Sequence, residues 1–326
     1  MKNHPIFLLT FLLMPLSDLT AVEEAIKEST VAEVGEVKTD KGEAKTAKGK
    51  KEKKKRKRKK LGNGPKGKVY VYNEAAGQKG TMEIHFPENH DPSKPVPGII
   101  LFHGGGWSSG NSGSMNPFCN YFARRGMVAA SVNYPFKNAE KEPVNQGKII
   151  CDRAGLRAIR WFKANAEELG VDPDRVIAGG GSAGGSICMH ATNWKILTDP
   201  EDPHKDIAPT VVAYILFNPA IKETSLSYFE HPESLAPAIA FFGTADPRLA
   251  GYKKLQDELV ARGAPKMEIW YAKDQGHAFY KLFPWPWHCL YHADRFLVSL
   301  GYLEGEPLQK LPEDGTFMTR NSDGNR

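Results

Sequence analysis

A chain of 326 residues, 40% of them apolar and 25% charged, is long enough for one large domain with a hydrophobic core plus further segments. Its formal charge of +6 is unevenly held: residues 38–68 carry 16 Lys and Arg against three acids, a net of +13, which leaves −7 on the remainder. That imbalance excludes a body that is basic throughout and confines any attraction to polyanions to one stretch of chain.

Residues 1–21 form the first unit. Lys2 and His4 precede the apolar run Ile6–Met14, which is short for a membrane span, and small residues follow up to Ala21. This pattern reads as a secretory signal peptide and so predicts a secreted or periplasmic protein, with an uncleaved membrane anchor as the alternative. Residues 22–67 have no aromatic residue and too few apolar ones for a core, so a disordered Lys-rich linker is expected. The run Lys53–Lys60 is of a kind that can mark nuclear localisation or nucleic-acid contact. Behind a signal peptide, a solvated arm drawn to an anionic polymer or a membrane surface is the preferred reading, and no specific nucleic acid is expected. A plain tether is the rival reading.

From Lys68 to about residue 303 the chain reads as one catalytic domain, followed by a polar tail over 304–326. Val69–Tyr72 and Met82–Phe86 alternate like half-exposed strands and predict the antiparallel start of a sheet. Gly98–Phe102 is a buried strand that leads into His103-Gly104-Gly105-Gly106-Trp107. A helix is expected from near Pro117 up to Gly126, a strand at Met127–Val132, and a long helix from about Val144 to Leu169, ended by Gly170. The strand Arg175–Ala178 runs into Gly180-Gly181-Ser182-Ala183-Gly184, and a helix follows. Val211–Phe217 is the sixth strand, Ala238–Phe242 precedes Asp246, and Met267–Tyr271 precedes His277. Such alternation predicts an α/β fold: a mostly parallel central sheet with right-handed crossovers and helices on both faces. Residues 135–148 and 223–237 are short inserts, so no substantial cap domain is expected. An open cleft suits a water-soluble or polymer-linked substrate.

Ser182, Asp246 and His277 all follow strands, at the sheet edge where such folds bind ligands. G-x-S-x-G between strand and helix is the pattern of a nucleophile elbow, and Ser, Asp, His is the chain order of the α/β-hydrolase triad. In this reading Ser182 is the nucleophile, His277 its base and Asp246 the group that fixes the imidazole tautomer. The backbone N–H groups of Gly104, Gly105 and Ala183 would form the oxyanion hole, with His103 bracing the loop. Trp107, Phe279 and Tyr280 are candidates to line the cleft, whereas Trp285 and Trp287 are read as packing the last helix on the sheet. Asp274 is the rival acid, disfavoured because it shares the histidine's own loop. His190, His288 and His292 fall in predicted helices. His288 and His292 stand four apart, but Cys289 occupies the place where a zinc-binding helix needs glutamate. No metal or other cofactor is expected, and the pairing of Cys119, Cys151, Cys188 and Cys289 is open.

His103–Trp107, the lead Asp172–Arg175 into Gly179–Gly185, Gly243–Pro247 and Gln275–Phe279 together resemble the α/β-hydrolase-fold carboxylesterases. The likeness is to the acetyl esterase and hormone-sensitive-lipase-like group and to the feruloyl and acetyl xylan esterases, over roughly residues 68–303. Tyr134-Pro135-Phe136 departs from it, since many relatives carry Tyr-Arg-Leu there. The resemblance implies a serine carboxylester hydrolase for small-molecule or carbohydrate esters with short acyl groups, acetyl among them. The alternatives are a peptidase or amidase of the same fold, or a polyanion-binding surface protein whose hydrolase domain is silent.

Overall fold

The computed structural model describes residues 59–74, 79–136, 146–193, 197 and 200–321. The signal peptide and the linker up to residue 58 lie outside the described residues.

Nine strands form one sheet in the order β1-β2-β4-β3-β5-β6-β7-β8-β9. They are β1 (Lys68–Asn73), β2 (Gly80–His85), β3 (Val96–Phe102), β4 (Val128–Asn133), β5 (Val171–Gly181), β6 (Ala213–Phe217), β7 (Ala238–Gly243), β8 (Glu268–Ala272) and β9 (Met318–Arg320). Strands β3 to β8 pair in parallel, β1 and β2 start the sheet antiparallel, and β9 closes it antiparallel to β8. The helices are α1 (Asn116–Arg124), α2 (Gln146–Ala164), α3 (Ala166–Leu169), α4 (Ala183–Asn193), α5 (Leu249–Ala261) and α6 (Trp285–Ser299).

The continuous apolar strands follow from burial on both faces. Ile100, Phe102, Ala178, Leu216 and Phe242 join the core under α2, α4 and α5. Their neighbours Ile99, Leu101, Ile177, Ile215 and Phe241 join a second core under α1 and α6. Successive side chains of a strand point to opposite faces, so a strand covered twice has no polar position to spare. The same reason corrects the expectation for the second strand. β2 is almost wholly buried rather than half-exposed, because α1 and α2 pack on its two sides.

The long helix expected to Leu169 is divided at Asn165, whose Nδ2 donates to the Trp161 carbonyl at 2.8 Å. A side chain that bonds the carbonyl of the previous turn offers the backbone an alternative to the helix ladder. At the carboxyl end, the segment read as a polar tail supplies β9, and Met318 is buried on the α6 side. At the amino end, residues 59–67 lie along the domain as a strap. Leu61 N–H donates to the Lys281 carbonyl at 2.7 Å and Phe283 N–H to that of Lys59 at 2.9 Å, while Leu61 packs on the second core. The four cysteines are free and buried. Burial pushes the thiols of Cys119, Cys188 and Cys289 up, so they behave as small apolar groups.

Candidate active site

Ser182 sits between β5 and α4 at φ 52°, a left-handed conformation that few side chains adopt. The surroundings hold it there. Its N–H donates to the Phe217 carbonyl at 2.9 Å, and its carbonyl accepts from Gly185 N–H at 3.0 Å and Ala220 N–H at 2.9 Å. Its hydroxyl Oγ lies 2.8 Å from His277 Nε2.

His277 follows β8, and its Nδ1 lies 2.8 Å from Asp246 Oδ2. Asp246, 4% exposed, turns off the end of β7 with its N–H on the Gly243 carbonyl at 3.0 Å. Its Oδ1 accepts the Arg248 N–H at 3.0 Å, and Arg248 Nη1 stands 3.8 Å away at the surface. A carboxylate facing Nδ1 fixes that nitrogen as the donor and leaves Nε2 as the acceptor for the serine hydroxyl. Asp274, the rival acid, is exposed at φ 59° and donates its N–H to Thr244 Oγ1 at 2.8 Å.

Asn218 joins the triad from outside any of the sequence motifs. It follows β6, is fully buried at φ 45°, and donates from Nδ2 to Asp246 Oδ2 at 2.7 Å. The available signal was an Asn, the residue most tolerant of positive φ after glycine, placed between a buried apolar strand and Pro219.

The glycine loop after β3 borders the serine. A Cβ on Gly104 would fall 2.9 Å from the Gly181 carbonyl and 3.1 Å from Ser182 Cβ, so only glycine brings this backbone so close. Gly105 follows at φ 147°, its carbonyl accepting the N–H groups of Ser108 and Ser109 at 3.2 and 3.1 Å. Ala183 opens α4 directly after the serine. His103 is fully buried, with Nδ1 donating to the Gly104 carbonyl at 2.9 Å, its ring stacked on Tyr134 and its carbonyl accepting the Tyr134 hydroxyl at 2.8 Å. Burial pulls its pKa down to about 4, so it is neutral near pH 7. Tyr134 thus keeps a loop contact beside the Pro135-Phe136 departure.

Trp107, half-buried at φ 62°, carries Lys148 Nζ 5.0 Å from its ring centre. Phe279 and Tyr280, expected to line the cleft, are each 1% exposed and belong to the second core. The reversal at Ala278, φ 60°, starts a 3₁₀ turn that directs both rings inward, Phe279 against Trp285 and Tyr280 onto Phe217. Trp285 is buried there as expected, and Trp287 packs on Phe283. The other histidines are engaged elsewhere. His190 bonds Asp152 at 3.0 Å, His288 bonds Thr316 Oγ1 at 2.8 Å, and His292 stacks on Trp270. A surface groove of about 470 Å³, lined among others by Lys253, Tyr271 and Arg320, lies at the β8–β9 edge and includes none of the residues above.

Fold and site together have the form of an α/β-hydrolase with a serine at its elbow. The BD-FAE family model matches residues 82–214. Among curated proteins, the probable carboxylic ester hydrolase LipM of Mycobacterium tuberculosis is 27% identical over 193 residues, which are 59% of this chain and 37% of that protein. Carboxylesterase NlhH of the same species is 38% identical over 106 residues, 32% of this chain and 31% of NlhH. The chain thus covers well under half the length of these curated relatives. Among solved structures, Thermogutta terrifontis esterase 2, phosphonylated by cyclosarin, is 30% identical with a TM-score of 0.65, over 74% of this chain and 97% of that one. The same esterase is also solved with propionate and with butyrate bound. The chain belongs to the α/β-hydrolase carboxylesterases, of hormone-sensitive-lipase-like type.

Proposed function

We propose that the chain hydrolyses carboxylic esters through an acyl-enzyme on Ser182, on small-molecule or carbohydrate substrates with short acyl groups such as acetyl, after export directed by residues 1–21. The observation that carries this reading is the chain of two 2.8 Å contacts from Ser182 Oγ through His277 to Asp246, built on a left-handed turn. His277 Nε2 takes the hydroxyl proton as Oγ attacks the ester carbonyl carbon. Asp246 holds the neutral tautomer and stabilises the imidazolium. The negative charge that forms on the carbonyl oxygen meets the N–H groups of Ala183, Gly104 and Gly105; one such donor is worth ~10²–10³ in rate. The tetrahedral adduct then breaks its bond to the alcohol oxygen, and His277 returns the proton to that oxygen. Water, deprotonated by the same nitrogen, adds to the acyl-enzyme and releases the acid and free Ser182. Short acyl groups are supported by the propionate and butyrate held by the Thermogutta esterase.

The test is Ser182→Ala. Turnover of nitrophenyl acetate is expected to vanish while the thermal melt stays within a degree or two, because the hydroxyl stands at a turn and packs no core. Paraoxon is expected to add one phosphoryl group to the wild type at Ser182, read by peptide mass spectrometry. Saturable turnover in Ser182→Ala, or label on another residue, overturns the assignment.

A further inference from the structure

On the face of the sheet opposite Met82 and Ile84, β2 carries Glu83, whose side chain is buried against α1. Its Oε1 accepts the Ser112 hydroxyl at 2.5 Å and its Oε2 accepts Asn116 Nδ2 at 2.7 Å. His85, two residues on along the same strand, reaches Asn116 Oδ1 at 3.3 Å and not the carboxylate. Among the described residues no lysine or arginine pairs with Glu83, so neutral donors alone hold it. Burying a charge without an opposite one is costly, and a side chain that served packing alone would be apolar here.

The bonds converge on Ser112, which opens the 3₁₀ turn Ser112–Ser114 at the far end of the loop that begins at His103. Every polar group of Ser112 is engaged. Its N–H donates to Asn133 Oδ1 at 2.7 Å, its carbonyl accepts Ser131 Oγ at 2.6 Å, and its hydroxyl accepts Asn133 Nδ2 at 3.0 Å while donating to Glu83. Two residues earlier, Gly110 lies at φ 105° against the start of the loop. A Cβ there would fall 2.4 Å from the Gly104 carbonyl oxygen and 2.5 Å from His103 Nδ1, which itself bonds that carbonyl at 2.9 Å. A peptide unit is planar, so fixing the Gly104 carbonyl also fixes the Gly105 N–H, which points the opposite way. This peptide borders the serine, since a Cβ on Gly104 would stand 3.1 Å from Ser182 Cβ.

We infer that Glu83 is a positioning residue for the reaction: through Ser112 it holds Gly110 against Gly104 and so aims the Gly105 N–H at the oxygen that becomes negative. The inference rests on the esterase reading above, in which Gly104 and Gly105 donate to that oxygen. Glu83 touches no substrate and acts only through the loop. Donors fixed in advance are effective because they need no reorganisation as the charge forms. Loosening them costs the transition state and spares the bound ester, because the full charge exists only in the former.

The test compares Glu83→Ala, Glu83→Gln, Ser112→Ala and Tyr121→Phe in the full-length chain. The measurements are kcat and KM on nitrophenyl acetate, thermal melts, and the Ki of an alkyl trifluoromethyl ketone, whose carbonyl carbon takes up Ser182 Oγ to give a hemiketal oxyanion. Glu83→Ala is expected to lower kcat by about 10- to 100-fold, part of the ~10²–10³ that one oxyanion donor is worth, with KM within about twofold. The ketone Ki is expected to rise by the same factor as kcat/KM falls. Glu83→Gln keeps an acceptor for the Ser112 hydroxyl and should hold kcat within about fivefold of wild type. Tyr121→Phe removes a comparable buried bond, from the phenol to Asp294 Oδ2 at 2.5 Å, and is expected to lower the melt with kcat unchanged. Should Glu83→Ala not fold, Ser112→Ala carries the comparison, with a loss of about threefold or more in kcat expected at unchanged KM. A folded Glu83→Ala or Ser112→Ala protein with wild-type kcat overturns the inference. So does a fall in kcat that leaves the ketone Ki unchanged. No turnover and no ketone binding by the wild type would instead overturn the esterase reading itself.

Discussion

Asp246 Oδ2 receives two side-chain hydrogen bonds at once, from His277 Nδ1 at 2.8 Å and from Asn218 Nδ2 at 2.7 Å. A carboxylate can accept both, and each restricts its rotation. Replacing it with an amide leaves the geometry but offers Nδ1 a donor instead of an acceptor, which selects the wrong imidazole tautomer. Asp246→Asn is therefore expected to lower kcat by about 10⁴, and Asp274→Asn by no more than about twofold. Comparing the two kcat values decides the acid, and the reverse order would move the role to Asp274. Asn218 touches no substrate and acts by positioning Asp246. Asn218→Ala removes a hydrogen bond to a charged group, which predicts a fall of about 10- to 100-fold in kcat. KM should change little, since Asn218 is fully buried and bonds Asp246. A rise in KM with kcat preserved would make Asn218 a structural residue only.

At the scale of elements, the parts legible in the sequence share one physical origin. β3, β6, β7 and the second half of β5 are buried on both faces, so they appear as runs without a charged residue, and the chemistry-bearing residues stand just past strand ends. Ser182, Asp246 and His277, which the structure brings into contact, could be located that way. The strap, β9 and Asn218 could not. The strap and β9 attach mainly through backbone hydrogen bonds, which leave no trace in composition, and their exposed side chains read as linker and tail. The inward turn of Phe279 and Tyr280 depends on positive φ at Ala278, which alanine gives no reason to expect. The strap's apolar anchor gives a prediction. Leu61→Asp places a charge against the second core and loosens the segment paired with Lys281–Phe283. The melting temperature is expected to fall by about 3–6 °C, with a loss of kcat on nitrophenyl acetate because His277 shares that loop. An unchanged melt and unchanged kcat would show that residues 59–67 rest on the domain without supporting it.

For the whole molecule, burial of titratable rings sets the pH range of stability. Desolvation draws His103 down to about 4 and His292 to about 3, and lowers His85 and His288 as well. In the unfolded chain these imidazoles protonate near pH 6.5. Between about pH 6.5 and 4 the unfolded state therefore binds more protons than the folded one, and stability falls as pH falls. On the alkaline side, burial raises the thiols of Cys119, Cys188 and Cys289 and the phenols of Tyr72, Tyr214, Tyr252 and Tyr280, so only the unfolded state ionises, the thiols from about pH 8.5 and the phenols from about pH 10, and stability falls again as pH rises. The melting temperature is thus expected to be flat between about pH 6.5 and 8.5 and to decline on both sides. His292 stacks on Trp270 at a centroid distance of 3.6 Å, a place that an aromatic ring without nitrogen can fill. His292→Phe should keep the neutral-pH melt within a few degrees and make the decline between pH 6.5 and 4 shallower. Calorimetric melts of both proteins across pH 3.5 to 11 check this. An identical acid slope in the two would show that burying His292 does not contribute to acid unfolding.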